Sequence, residues 1–150
     1  MISTEEIKTL RKETGLSIME CRKALEETGG DKNQAMALLK KKGAEIAKKK
    51  GDRTLGAGVI MTYVHTGETV GVMLELLGET YFVAKNPEFK SVAKDIAMHI
   101  AAMNPSDITL LLDQPFIKDA GQKIGDLINN TVQKFGERTE VGRFIRFSIH

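Results

Sequence analysis

Three histidines, one cysteine and several glycine-rich turns are the groups in this 150-residue chain that could bind a metal, attack a substrate or cradle a phosphate. Their spacing argues against each use. His65, His99 and His150 fall on a turn, inside a helical pattern and at the last position, and none has a cysteine or carboxylate at ligand spacing. No metal and no cofactor are expected. His99 stands beside the apolar stripe of its helix, where a hydrogen-bonded packing residue is the commoner reading and a general base the rarer one. Cys21 lies among apolar positions of a short helix, which suits a buried, inert thiol better than a nucleophile. Gly56-Ala57-Gly58 precedes a strand instead of joining a strand to a helix, so its amides form no phosphate cradle. Enzymatic chemistry is the weaker reading, and recognition the stronger. The candidate for recognition is Glu79-Thr80-Tyr81-Phe82-Val83-Ala84-Lys85-Asn86-Pro87, which places two of the chain's six Phe and two Tyr side by side between a strand-like run and a helix start. In an extended segment neighbouring side chains point to opposite sides, so Tyr81 and Phe82 cannot both enter one core, and at least one faces outward as an anchor.

The elements that must hold this junction follow from periodicity and punctuation. Ser3 with Glu6 has the spacing of a capping box, and Ile7, Leu10 and Thr14 then repeat at helical spacing up to Gly15. Ser17 with Glu20 repeats the device for a second helix with Ile18, Cys21, Ala24 and Leu25, stopped by Gly29-Gly30. Asp31 with Gln34 opens a third, carrying Ala35, Leu38 and Leu39, for which Gly43 is the expected C-terminal cap. Helices this short are marginal alone, so the three must pack as a bundle.

Beyond Gly56 the period switches to two. Val59 to Val64 and Thr69 to Leu77 flank His65-Thr66-Gly67-Glu68, which predicts an antiparallel hairpin with Val70, Val72, Leu74 and Leu76 on the inner face. Asn86 as N-cap and Pro87 at the first helical position start a helix with Phe89, Val92, Ala93, Ile96, Ala97 and Ile100 on one stripe, ended by Asn104-Pro105. A further helix is expected over 120–135, and a final strand alternates Arg143, Ile145, Phe147 and Ile149 with Phe144, Arg146 and Ser148. The fold class is α+β: an N-terminal three-helix bundle, a basic helical linker, and a sheet of about three antiparallel strands packed with helices. The division is expected at residues 1–55 and 56–150.

Charge and composition bound the rest. Lys and Arg number 22 against 20 Asp and Glu, so net charge selects neither nucleic acid nor an acidic substrate, and electrostatics must act locally. Between Lys40 and Arg53 seven basic residues face only Glu45 and Asp52, which raises a nucleic-acid-binding module as the alternative function. No aromatics interleave with these lysines and no base-reading cluster stands at a helix start, so a solvated or protein-facing helix is preferred and direct nucleic-acid binding is not expected. One cysteine excludes an internal disulfide, no apolar run approaches the ~18 residues of a membrane span, and Met1-Ile2-Ser3-Thr4-Glu5-Glu6 lacks a signal-peptide pattern. A cytoplasmic protein is expected.

Taken together, Leu10-Arg11-Lys12-Glu13-Thr14-Gly15, Met19-Glu20-Cys21-Arg22-Lys23-Ala24-Leu25, Glu79-Thr80 with Phe82-Val83-Ala84-Lys85-Asn86, Asp95-Ile96-Ala97-Met98-His99-Ile100-Ala101-Ala102 and Arg143-Phe144 form an ordered set. The set resembles bacterial translation elongation factor Ts, the guanine-nucleotide exchange factor of elongation factor Tu, over nearly the whole chain. The resemblance implies a ubiquitin-associated-like bundle, a core that grips the G protein, no covalent catalysis, and Phe82 as an aromatic wedge. It also implies a partner-facing set of Thr80, Tyr81, Phe82, Val83, Met19, Lys23 and His99. The family usually has Asp where Tyr81 stands, so a carboxylate beside the wedge is replaced by a neutral hydroxyl. With one core module where longer members carry two, the chain is expected to form a homodimer.

Overall fold

Local capping sets the N-terminal third. In the computed structural model, which describes residues 1–149 and leaves His150 outside the described residues, α1 (Thr4–Thr14) begins with a reciprocal capping box. The Glu6 amide donates to Ser3 Oγ at 3.1 Å and the Ser3 amide donates to Glu6 Oε2 at 2.7 Å, which holds the Glu6 carboxyl below its usual range. Ser17 and Glu20 cap α2 (Ile18–Glu27) in the same way, and Asp31 accepts the Gln34 amide to start α3 (Lys32–Lys49). Leu10, Leu16, Cys21, Ala24, Leu25, Ala35 and Leu39 form the core of this bundle. The Cys21 thiol lies 3.6 Å from Thr14 Oγ1, and burial pushes its pKa up, away from a reactive thiolate.

Gly43 does not cap α3. The helix runs on through it to Lys49, so Lys40 to Lys49 of the basic stretch belong to the third helix, and only Lys50 to Arg53 follow it. Gly43 continues the buried stripe of Ala35 and Leu39 by one turn and meets α7 (Ile124–Phe135) there. A Cβ at this position would lie 2.8 Å from Gln133 Oε1 and 3.5 Å from the Asn129 carbonyl oxygen. The glycine sits at a helix crossing, where the flexible Gln133 end makes the only tight contact and a side chain larger than a methyl would meet the Asn129 backbone, and it does not act as a C-terminal cap. Around this crossing, Lys40 pairs with Asp126 at 3.1 Å, and the Asn130 side-chain amide donates to the Thr14 carbonyl at 3.0 Å.

The remaining chain builds a sheet in the order β1-β2-β5, antiparallel throughout, from β1 (Ala57–Val64), β2 (Val70–Gly78) and β5 (Glu140–Ser148). The hairpin turn uses Gly67 and Glu68 at positive φ, as a tight reversal of a twisted pair requires. Val72, Leu74 and Leu76 point inward against α5 (Pro87–Met103), which presents Phe89, Ala93, Ile96, Ala97 and Ile100. Ile124 and Ile128 of α7 complete that side. Asn86 caps α5 through its side chain and Pro87 fills the first position, as the sequence implies.

The end of α5 shows why Arg146 faces inward. The Ala101 carbonyl would pair with the amide of residue 105, but Pro105 has none. Arg146 supplies the donors instead, with Nε at 3.1 Å and Nη2 at 3.0 Å from that oxygen. Between α5 and α7 the sequence reading missed two elements, α6 (Ile108–Asp113) and a small hairpin of β3 (Pro115–Phe116) and β4 (Asp119–Lys123). The helix expected from residue 120 therefore starts at Ile124, because 119–123 pair as strand. Among the described residues no helix is long and apolar enough to cross a membrane.

Candidate partner interface

The junction after β2 is a single helical turn. Thr80 is extended, with φ −125° and ψ 149°, and its Oγ1 accepts the Val83 amide at 3.3 Å, capping α4 (Tyr81–Ala84). Asn86 must leave helical space before Pro87, which ends the turn after four residues. On a helix successive side chains are about 100° apart, not opposed. Tyr81 and Phe82 consequently share the outer side, 74% and 76% exposed, while Val83 and Ala84 turn into the core. The extended geometry expected for this pair is corrected: both rings face solvent. Lys85 Nζ lies 5.7 Å from the Tyr81 ring centroid and 6.0 Å from that of Phe82, so a cation sits over both π faces.

The turn is tied down from a distant part of the chain. Glu137 follows the left-handed Gly136 that ends α7. Its Oε1 accepts the Glu79 and Thr80 amides, each at 3.1 Å, and its Oε2 accepts the Thr80 hydroxyl at 2.6 Å. In return Glu79 accepts the Arg138 amide and pairs with Arg53 at 3.4 Å. The Arg138 guanidinium donates to the Arg53 carbonyl, closing the ring of contacts. Glu137 and Arg138 were not singled out from sequence, where no local pattern links 79 to 137.

The other sequence-derived candidates divide by burial. Met19, in the first turn of α2, is 79% exposed and lies beside exposed Ile18 and Lys23. Among the described residues no hydrogen bond or ion pair joins this patch to the Tyr81-Phe82 turn. His99 is 0% exposed and cannot present its ring to a partner. Its Nδ1 accepts the Ile117 amide at 3.3 Å, which leaves the proton on Nε2 to be donated to Gln114 Oε1 at 2.9 Å. Burial pushes its pKa down, so the neutral ring is the stable form. Val83, likewise buried, supports the turn from beneath. No group of three or more His, Cys, Asp or Glu among the described residues is arranged to hold a metal ion.

An exposed aromatic turn, a capped three-helix bundle and an α+β core are together what the Ts-like motifs require. The family model for elongation factor Ts matches residues 5–110, more than half of the chain. This chain belongs to the elongation factor Ts family. It is 41% identical to elongation factor Ts of Thermodesulfovibrio yellowstonii, with 99% of this chain and 96% of that protein covered. The same-named protein of Desulforamulus reducens is 35% identical, with 99% and 89% covered. Elongation factor Ts of Nostoc is 40% identical over 99% of this chain but only 47% of its own length, so longer relatives carry more than one such region's worth of sequence. The match to the first relative extends over 192 positions, more than this chain possesses, so that relative has residues within the matched span that are missing here. As an elongation factor Ts relative, the chain is assigned to protein biosynthesis at the stage of translation elongation.

Proposed function

We propose that this chain binds elongation factor Tu and promotes release of its GDP, with Phe82 as the inserted ring and Tyr81, Thr80, Met19 and Lys23 as further contacts. The observation that carries the proposal is the exposure of two adjacent aromatics on a turn that is held in shape before any partner arrives. Exposed rings of this kind are costly to keep in water and are the usual anchors of an interface. The protein makes and breaks no bond in this role. It accelerates release by binding the nucleotide-poor state of the G protein better than the GDP state, and the coupling is reciprocal: GDP must weaken the complex by the same factor. His99 and Val83, being buried, serve the turn and core and not the contact surface.

The test is co-purification of this chain with elongation factor Tu, followed by release of a fluorescent GDP from the G protein. A stable complex that dissociates on adding GDP, and release that accelerates with factor concentration, are the expected results. No complex and no acceleration would remove the proposal.

The outer face of the sheet supports the homodimer reading. Cross-strand rows place Thr62, Met73 and Ile145 side by side, then Val64, Gly71 and Phe147. Among the described residues Ile60, Val64, Met73, Ile145 and Phe147 are all at least half exposed and form an apolar patch on this face. A second copy of the same face is the self-complementary occupant that a two-fold pair provides. The basic end of α3 fits a structural role, since Lys40 pairs with Asp126 and Lys42 with Glu27 at 3.6 Å. We take residues 1–55 and 56–150 as the two structural units and the cytoplasm as the site of action, where elongation takes place.

A further inference from the structure

We propose that Glu137 is a positioning residue for partner recognition: its carboxylate holds the Tyr81-Phe82 turn in its binding shape. The inference rests on the exchange reading of that turn and adds a residue to it from the far end of the chain.

A helix of four residues has little stability of its own, because one turn fixes several dihedrals for only a few backbone hydrogen bonds, here Ala84 to Thr80 at 3.1 Å and Lys85 to Tyr81 at 3.0 Å. Its order must come from outside. Beneath the turn, Val83 and Ala84 anchor one side in the core, but they leave the direction of the first residues free. Glu137 fixes that direction through three donors, two of them consecutive amides at Glu79 and Thr80. The third is decisive. The Thr80 hydroxyl has one hydrogen, and it is given to Glu137 Oε2 at 2.6 Å. A lone pair of the same oxygen is thereby left facing the Val83 amide, the bond that caps α4. Glu137 thus orients the cap, and the cap orients the next two residues, which are the exposed rings.

The arrangement lies on the polar rim and not in the core. Thr80, Tyr81 and Phe82 are exposed, Glu79 and Glu137 are partly buried, and none of these belongs to the hydrophobic cluster. Removing the carboxylate therefore frees the turn while the sheet and α5 keep their packing. A binding-competent shape that is populated for only a fraction of the time lowers apparent affinity by that fraction.

The experiment is a double-mutant cycle on stimulated GDP release, comparing the native chain, Glu137→Ala, Phe82→Ala and the double variant. Glu137→Ala is expected to raise the factor concentration for half-maximal stimulation by roughly 10-fold, with little further loss once Phe82 is already Ala. Equal loss in both backgrounds, or none in either, overturns the assignment, since a merely structural residue would weaken both alike. If Glu137→Ala lowers the thermal midpoint, Glu137→Gln is scored in the same cycle, because it keeps the shape and one accepting oxygen. Hydrogen exchange of the Thr80 and Val83 amides in the factor alone gives a reading that needs no partner. Faster exchange in the variant than in the native chain supports the clasp even if the native chain fails to release GDP, and unchanged exchange refutes it.

Discussion

Truncating Phe82 to Ala separates binding from folding in one substitution. Full burial of a Phe side chain is worth about 1.5 to 3 kcal/mol. Phe82 keeps 76% of its surface in water, so about 1.1 to 2.3 kcal/mol of that remains available to a partner. Converted at 1.36 kcal/mol per decade, this is roughly a 6- to 50-fold effect on stimulated release. Folded stability should stay within about 0.5 kcal/mol of the native chain, since the ring contributes nothing to the core. The assay is stopped-flow release of fluorescent GDP from elongation factor Tu across a range of factor concentrations, alongside urea unfolding of the factor alone. Loss of a ring that engages only the nucleotide-poor state lowers the plateau rate; loss of one that engages both states shifts the concentration dependence and leaves the plateau intact. An unchanged release curve together with unchanged stability would refute the assignment of this ring as the wedge. Loss of stability equal to the loss of activity would refute the premise that it stands clear of the core.

Three other outcomes follow from the geometry. Gly43→Leu should destabilise by about 1 to 3 kcal/mol by forcing α3 away from Asn129 and Gln133, whereas Gly43→Ala should be near neutral, its helix gain offset by displacement of the flexible Gln133 end; equal urea midpoints for the two would contradict the close-approach account. Ile145→Asp should convert a dimer to a monomer in sedimentation, and an unshifted native mass would move the interface elsewhere. Glu75 accepts the Arg143 Nε and amide at 3.0 and 2.8 Å and its Nη2 at 2.9 Å, bonds that hold its carboxyl at about 2 against an ordinary 4.5. A depressed carboxyl stabilises above its unfolded pKa and loses that contribution as pH falls through the folded one. The difference in thermal midpoint between the native chain and Glu75→Gln should therefore be constant above pH 4.5 and shrink toward pH 2, and a difference that grows with acid would reverse the assignment.

Legibility in the sequence tracks the range of the forces involved. Ser3-Glu6 and Ser17-Glu20 act over three residues, so both helix starts could be read before any fold was known. The alternation in β2 and the Asn86-Pro87 start of α5 are equally local. Gly43 misled because a glycine at a helix crossing and one at a helix end look alike until α7 is placed against it. The β3 strand has two residues, too few to show a period, and its segment also supplies the partners of His99. Without that segment the histidine could be set on a helix but not enclosed. The aromatic turn is the extreme case. Its residues were visible, yet its helical shape depends on an acceptor 57 positions away, so both rings could not be assigned to one side.

Under the proposed function, the unbroken course of α3 also sets how the two contact patches are used. Eighteen residues at 1.5 Å each make a strut of about 27 Å that starts in the bundle carrying Met19 and is braced midway along its length on α7 of the core, through Lys40 and Asp126. A flexible tether would let each patch find its site independently, at the cost of a low effective concentration for the second contact. A strut instead delivers the second patch at a preset spacing as soon as the first has docked. Under the proposed function, any mismatch with the GDP-bound partner is then borne by the partner. Under the proposed function the factor works as a caliper of fixed opening, and GDP is lost from the protein that has to bend to fit it.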